Sequence, residues 1–204
     1  MVEKSTNIKL EIIGLFRVNY LAQFHVREIA KLIEKNHVTI LPHLNGLEKD
    51  KILVSKSVGK NKVFSLNLDN IITKNYLNLS ETVKTIAFLE KNFLIKKITK
   101  EIFNLKLSGA IILFGSYAKR TFKEYSDIDL FYLGKITEKE IQNIKTIGKT
   151  YGKTINVKKS SLKNFESGLR KKDHLIIEVI KDHIILQNTE RLINTLWRFY
   201  EERK

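Results

Sequence analysis

The chain contains no cysteine, which excludes disulfides and thiolate metal sites. It also lacks any apolar run approaching the length of a membrane span. Its first residues, Met1-Val2-Glu3-Lys4-Ser5-Thr6-Asn7, lack the long apolar region of a signal peptide. A cytoplasmic protein with no membrane partner is therefore expected. No internal repeat or low-complexity linker interrupts the 204 residues, a length that holds one large domain or two small ones, each with its own core. Acidic side chains are scarce: 22 Asp and Glu stand against 37 Lys and Arg, for a net charge of +15.

That excess is uneven, +4 over residues 1–70 and +11 over residues 71–204. A basic field attracts nucleic acid, nucleotides or an acidic protein without choosing among them. A Lys-rich solvated surface with no partner accounts for it as well, because Lys dominates over Arg. His25, His37 and His43 lack the spacing of a metal site and fit capping or surface positions.

The most informative stretch lies in the second half. Gly109-Ala110-Ile111-Ile112-Leu113-Phe114 is a wholly apolar run of strand type, and Gly115-Ser116 follows where such a strand would turn into a short helix. Glycine lets the backbone approach a ligand, while free N–H groups and the Ser116 hydroxyl can donate to phosphate oxygens. Ten residues on, Ser126-Asp127-Ile128-Asp129-Leu130-Phe131-Tyr132-Leu133 begins with alternation and becomes apolar, as a strand entering a core would. Side chains two apart on a strand share a face, so Asp127 and Asp129 project together with Ile128 and Leu130 packed behind. Two hard oxygen ligands on one face suit a magnesium ion carrying a triphosphate. Gly-Ser alone most often marks a turn, and Asp-x-Asp alone a solvated strand end; an apolar strand before each, with a short connection, makes the combination informative.

Phe114-Gly115-Ser116-Tyr117-Ala118-Lys119-Arg120, followed by Ser126-Asp127-Ile128-Asp129-Leu130, resembles the signature of the polymerase-beta-type nucleotidyltransferase superfamily, especially its minimal nucleotidyltransferases. The resemblance covers residues 80–187. It implies a small mixed sheet flanked by helices, Gly115 and Ser116 at the nucleotide phosphates, and Asp127 and Asp129 as magnesium ligands and catalytic carboxylates. It also implies transfer of a nucleoside monophosphate from an NTP such as ATP to a hydroxyl. Related minimal nucleotidyltransferases include antitoxins that nucleotidylate a partner toxin, which makes such a protein a candidate acceptor.

Two positions depart from the pattern. The family often has a second glycine where Arg120 stands. Its third catalytic carboxylate lies on a later strand, and the matching strand here, Lys153-Thr154-Ile155-Asn156-Val157-Lys158, offers Asn156. An amide cannot take a proton as a general base, although it can act as a weak ligand or donate a hydrogen bond. Glu178 and Asp182 are the nearest acids downstream, on an expected helix and in the turn after it.

The first third has a different pattern. Ile8, Leu10, Ile12, Ile13, Leu15 and Phe16 mark a first helix; His25 to Ile33 marks a second with Ile29, Ala30 and Ile33 inward. A third places Ile40, Leu44 and Leu47 on one face, with Pro42 in its early turns. Lys51–Lys56, a turn over Ser57-Val58-Gly59-Lys60-Asn61, and Lys62–Leu66 form an expected hairpin with a basic tip. Val26-Arg27-Glu28-Ile29-Ala30 and Leu44–Leu53 resemble the second helix and the recognition-helix-to-wing junction of winged helix-turn-helix regulators, over residues 7–68. The resemblance implies DNA contact by Thr39, His43 and Asn45 on the third helix and phosphate contact by Lys56, Lys60 and Lys62 on the wing. Winged helices also serve as protein-docking modules, and the modest +4 leaves that alternative open.

Asn67 to Leu79 is expected as a connector, with Ser80 capping a long helical segment from Val83 to Phe103. Its apolar positions cover more than one stripe, so some could face a second subunit. Thr137–Gly148, Ser161–Lys172, Asp173–Ile180 and Thr189–Glu202 are expected helices, His183–Leu186 a short strand, and Trp197 a core or interface residue. The expected fold class is α/β of the α+β kind: a winged helix-turn-helix over residues 1–70, then a small mixed-sheet nucleotidyltransferase-like domain over 71–204. A homodimer is expected, since winged-helix proteins commonly read two half-sites. Two functions remain open: a magnesium-dependent transferase guided by DNA, or a catalytically impaired transcriptional regulator that senses an NTP effector or dimerises through its second domain.

Overall fold

The computed structural model describes residues 2–59 and 61–204, with side chains from Asn7 onward. Ten helices and seven strands in two sheets lie among the described residues, an α+β architecture. No helix among them is long and apolar enough to cross a membrane. The chain divides into two compact units: residues up to Glu81 together with Leu196–Lys204, and Thr82–Thr195.

The first unit runs α1 (Val2–Gly14), β1 (Phe24–His25), α2 (Val26–Leu32), α3 (His37–Lys49), β2 (Leu53–Val58) and β3 (Asn61–Leu66). Its sheet is antiparallel in the order β1-β3-β2, with Phe24 opposite Phe64 and Leu53 opposite Leu66. Asn36 starts α3 by accepting the Val38 N–H on its side-chain oxygen at 2.9 Å. The 3.6-residue period then turns Ile40, Leu44 and Leu47 inward, where they are fully buried with Ile12, Ile13, Phe16 and Ile29. The hairpin turn is tighter than the sequence suggested. Val58 pairs with Asn61, leaving Gly59 at φ +60° as the one described residue of the tip, while Lys60 lies outside the described residues.

The segment from Asn67 to Leu79 is not a connector. Helix α4 (Ile71–Lys91) already covers most of it, started by the Asn70 side chain, which accepts the Ile72 N–H at 3.0 Å. Ser80 is therefore inside a helix, not at its start, and its hydroxyl donates to the Leu10 carbonyl at 2.9 Å. At the next residue, Arg17 grips the buried Glu81 carboxylate with two bonds of 2.8 and 3.0 Å. The end of α10 (Thr189–Glu201) completes this unit: Tyr20 packs on Trp197 and Tyr200, and the Tyr200 hydroxyl donates to the Val18 carbonyl at 3.0 Å.

In the second unit the expected long helix is broken at Asn92, whose side chain turns back to donate to the Phe88 carbonyl at 2.7 Å. Then follow α5 (Phe93–Asn104), β4 (Ala110–Phe114), α6 (Gly115–Lys119), β5 (Ile128–Leu133), α7 (Glu138–Thr150), β6 (Ile155–Ser160), α8 (Leu162–Lys171), α9 (His174–Lys181) and β7 (Ile184–Gln187). The mixed sheet has the order β6-β5-β4-β7. β4 is antiparallel to both β5 and β7, while α7 carries the chain over so that β6 joins β5 in parallel. Strand alternation divides the apolar side chains between two faces. Ile111, Leu113, Leu130 and Tyr132 pack with Ile95, Ile98 and Ile102 of α5 and Ile144 and Ile147 of α7. On the other face Phe131 meets Phe165 of α8 at 5.7 Å between ring centres.

Candidate nucleotide site

The site forms where β4 ends and β5 and β6 begin. After the buried Phe114, Gly115 adopts φ +68°, and the chain winds at once into the single turn of α6. The position demands glycine twice: the φ is left-handed, and a Cβ there would lie 2.4 Å from Asp129 Oδ2. The turn closes with Thr121 N–H donating to the Ser116 carbonyl at 2.9 Å, and the Tyr117 ring stacks on Phe122 at 4.3 Å. Ser116 is half-buried at the start of this turn. Arg120 ends it at φ +59°, the left-handed region where glycine is favoured.

Asp129 sits in β5 between Phe114 of β4 and Asn156 of β6 in the strand register. Asp127 falls just before the strand, which starts at Ile128, and is exposed where Asp129 is half-buried. The fully buried Ile128 and Leu130 fix the pleat that sends the two carboxylates to one side. Asn156 joins them: its Nδ2 donates to Asp127 Oδ2 at 3.3 Å and to Asp129 Oδ1 at 3.2 Å. The amide thus occupies the place where the sequence pattern called for a third carboxylate, and it bridges the other two. A cavity of about 360 Å³ opens beside Asp129 and Asn156, walled by Lys145, Val157 and Lys158.

Glu178 does not fill the gap. It lies on α9, and its Oε1 accepts from Lys119 Nζ at 2.9 Å. That bond holds the Lys119 ammonium above its ordinary pKa, with weaker support from the charges of Asp182 and Asp129. Asp182 follows the helix as its last cap. The structure therefore brings together Gly115, Ser116, Asp127, Asp129 and Asn156. It adds Lys119, a cation that the motif contained without marking it, since the pairing with Glu178 spans 59 residues.

Among the expected DNA contacts, Thr39 is exposed and His43 half-buried; four residues apart, they share a face of α3. Asn45 is exposed but two positions further round, off that face. Lys56 is exposed on β2. Lys62 on β3 is engaged, its Nζ 2.6 Å from Glu48 Oε2, and the Ser55 hydroxyl donates to the other carboxylate oxygen at 2.5 Å. These bonds, Lys62 first, hold the Glu48 carboxyl below its usual pKa.

A mixed sheet here holds a glycine turn against a carboxylate pair. Residues 94–188 match the family model described as Nucleotidyltransferase domain. The match lies wholly within the second unit and leaves the first unassigned. A solved structure described as "Crystal structure of the toxin-antitoxin with AMP-PNP" is similar at 14% identity and a TM-score of 0.39, covering 53% of this chain and 86% of that one. No curated protein matches the chain.

The donor set fits magnesium with a nucleotide better than a caged ion. No group of three or more His, Cys, Asp or Glu side chains that could hold a metal exists among the described residues. Two carboxylates suit a cation that keeps water and takes its remaining ligands from phosphate.

Proposed function

We propose that the chain binds an NTP with magnesium at Gly115, Ser116, Asp127 and Asp129, and transfers a nucleoside monophosphate to a hydroxyl of a protein or nucleic acid. The observation that carries this reading is the contact at Gly115, where the Asp129 carboxylate occupies the space of a missing side chain. A phosphate at the glycine turn would then lie directly against a metal-binding oxygen. The Ser116 hydroxyl and the backbone N–H groups of the turn would hold phosphate oxygens. Asp127 and Asp129 would hold magnesium, which neutralises phosphate charge when bound. The acceptor oxygen bonds to the α-phosphorus, the bond to the bridging oxygen breaks, and pyrophosphate leaves. The hydroxyl proton goes to water, because Asn156 cannot take it.

In this reading the first unit is a winged helix-turn-helix that holds DNA as a homodimer. Thr39 and His43 of α3 would face base edges, and Lys56 and Lys62 phosphates, with Asn45 left off that face. A partner toxin is one protein acceptor of the required kind. Labelled ATP and GTP, incubated with magnesium and candidate acceptors, should label the acceptor, and Asp127→Ala with Asp129→Ala should abolish the label. Absence of transfer with every nucleotide and metal refutes it.

Asn156 favours a second reading, a transcriptional regulator that uses the bound nucleotide as an effector. Its amide occupies both carboxylates and supplies no base. That reading expects sequence-selective DNA binding to survive loss of the Asp pair, and it fails if the protein shows no steep salt dependence on any DNA.

A further inference from the structure

Helix α5 carries a second basic surface. Its inner face, Ile95, Ile98 and Ile102, is spent on the core. The exposed residues from 91 to 106 comprise five lysines, two phenylalanines and one asparagine, with no acid among them. The nearest acid on the helix, Glu101, is half-buried and accepts from the Tyr151 hydroxyl. Phe93 and Phe103 are 68% and 66% exposed, an unusual degree for rings in water. At ten residues apart they are separated by about 15 Å along the helix, and Lys96, Lys97 and Lys100 lie between them. Together these side chains frame a groove of about 450 Å³. Lys97 Nζ stands 4.5 Å from the centre of the Phe93 ring, so one ring already carries a cation on one face.

This chemistry selects among anionic partners. A membrane surface needs a broad apolar face, and here that face is buried while the two remaining rings are isolated. A protein interface is depleted of lysine at its centre, where this surface has three. Duplex nucleic acid meets the lysines but offers no unstacked base to the rings. A single strand satisfies both, since its phosphates take the ammonium groups and its bases stack on exposed aromatic side chains. We propose that the outer face of α5 binds single-stranded RNA or DNA, with Phe93 and Phe103 stacking bases and Lys96, Lys97 and Lys100 contacting phosphates. The site is independent of nucleotide turnover at Asp127 and Asp129.

The test is fluorescence anisotropy on the full chain with labelled oligouridylate and oligothymidylate, which also separates RNA from DNA as the ligand. Phe93→Ser with Phe103→Ser should weaken binding at least about tenfold, two stacking contacts being lost. Lys96→Glu with Lys97→Glu and Lys100→Glu should flatten the plot of log affinity against log salt by about 2, three phosphate contacts at about 0.7 each. All five positions are exposed, so thermal melting should match the parent. Lys163→Glu on α8, which packs on the other face of the sheet, should leave oligonucleotide binding intact. The proposal is overturned if the parent ignores both oligonucleotides at low salt, if the double phenylalanine variant binds equally well, if Lys163→Glu abolishes binding, or if phosphatidylserine vesicles capture the protein while oligonucleotides do not.

Discussion

Replacing Asn156 by aspartate tests the site directly. In the parent, one amide donates to both carboxylates at 3.2–3.3 Å; in Asn156→Asp a third negative oxygen takes its place. Two carboxylate oxygens about 3.3 Å apart repel by about 1 kcal/mol in a water-like medium and about 5 kcal/mol at an effective dielectric of 20. Asp127 is exposed and Asp129 half-buried, so side-chain relaxation and solvent reduce the total for both pairs to about 2–3 kcal/mol. Without metal, the second unit of Asn156→Asp should therefore melt about 6–12 °C below the parent. Magnesium reverses the sign of the change, because three carboxylates hold a cation more tightly than two; saturation at a hundred times the dissociation constant returns about 2.7 kcal/mol. Calorimetry of parent and variant, with and without magnesium, reads both effects. Asn156→Ala serves as the control that removes the amide without adding charge. Under the proposed transfer activity, a carboxylate able to act as a base should also raise the rate by about a hundredfold. An Asn156→Asp protein that melts with the parent in the absence of metal, and gains no more than the parent from magnesium, refutes the reasoning.

Gly115→Ala should cost about 1–3 kcal/mol in stability and impair NTP binding in calorimetric titration, because the residue is left-handed and its Cβ would meet Asp129 at 2.4 Å. Arg120→Gly should raise the melting temperature of the second unit by a few degrees, since it relieves about 1 kcal/mol of left-handed strain at φ +59°. If the first unit holds DNA as proposed, Glu48→Gln should release Lys62 and steepen the salt dependence of that binding. Because the Glu48 carboxyl titrates below its ordinary 4.5, the pair stabilises the fold above that pH and its contribution, under about 1 kcal/mol for a partly exposed pair, fades as pH falls through the lowered value; the variant should lack this component in acid titrations. Arg17→Ala should destabilise the first unit by about 3 kcal/mol in denaturant melts, since Glu81 is 2% exposed and loses its paired guanidinium.

Local patterning carried much of the fold. The helical period of Ile40, Leu44 and Leu47, and the helix starts at Thr137, Ser161 and Asp173, which the structure makes N-caps, were legible because each depends on neighbours within a few residues. Ser80 misled because serine has two uses for its hydroxyl. To cap a helix its oxygen would accept a backbone N–H, but here its O–H donates to a carbonyl 70 residues away, from inside a helix that Asn70 had already opened. Asn92 broke the helix without a proline or glycine to signal it. At the site, Gly115, Ser116, Asp127 and Asp129 were recognisable as residue types at a spacing. Their mutual contacts were not, since the approach of Asp129 to Gly115 comes from antiparallel pairing with β4, and the Asn156 bridge from the parallel register that α7 creates. Likewise, nothing near Lys62 in sequence announced that Glu48 would hold it.

Because Leu196–Lys204 belong to the first unit, that unit is assembled from two segments separated by the whole of the second. During synthesis, Tyr20 emerges from the ribosome about 177 residues before Trp197, and the whole nucleotide domain is made in between. The first unit therefore cannot reach its final packing until Leu196–Lys204 have been made. A nascent chain stalled before residue 196 would present an unfinished first unit, so a cell completes that unit only in a molecule whose second unit has already been synthesised.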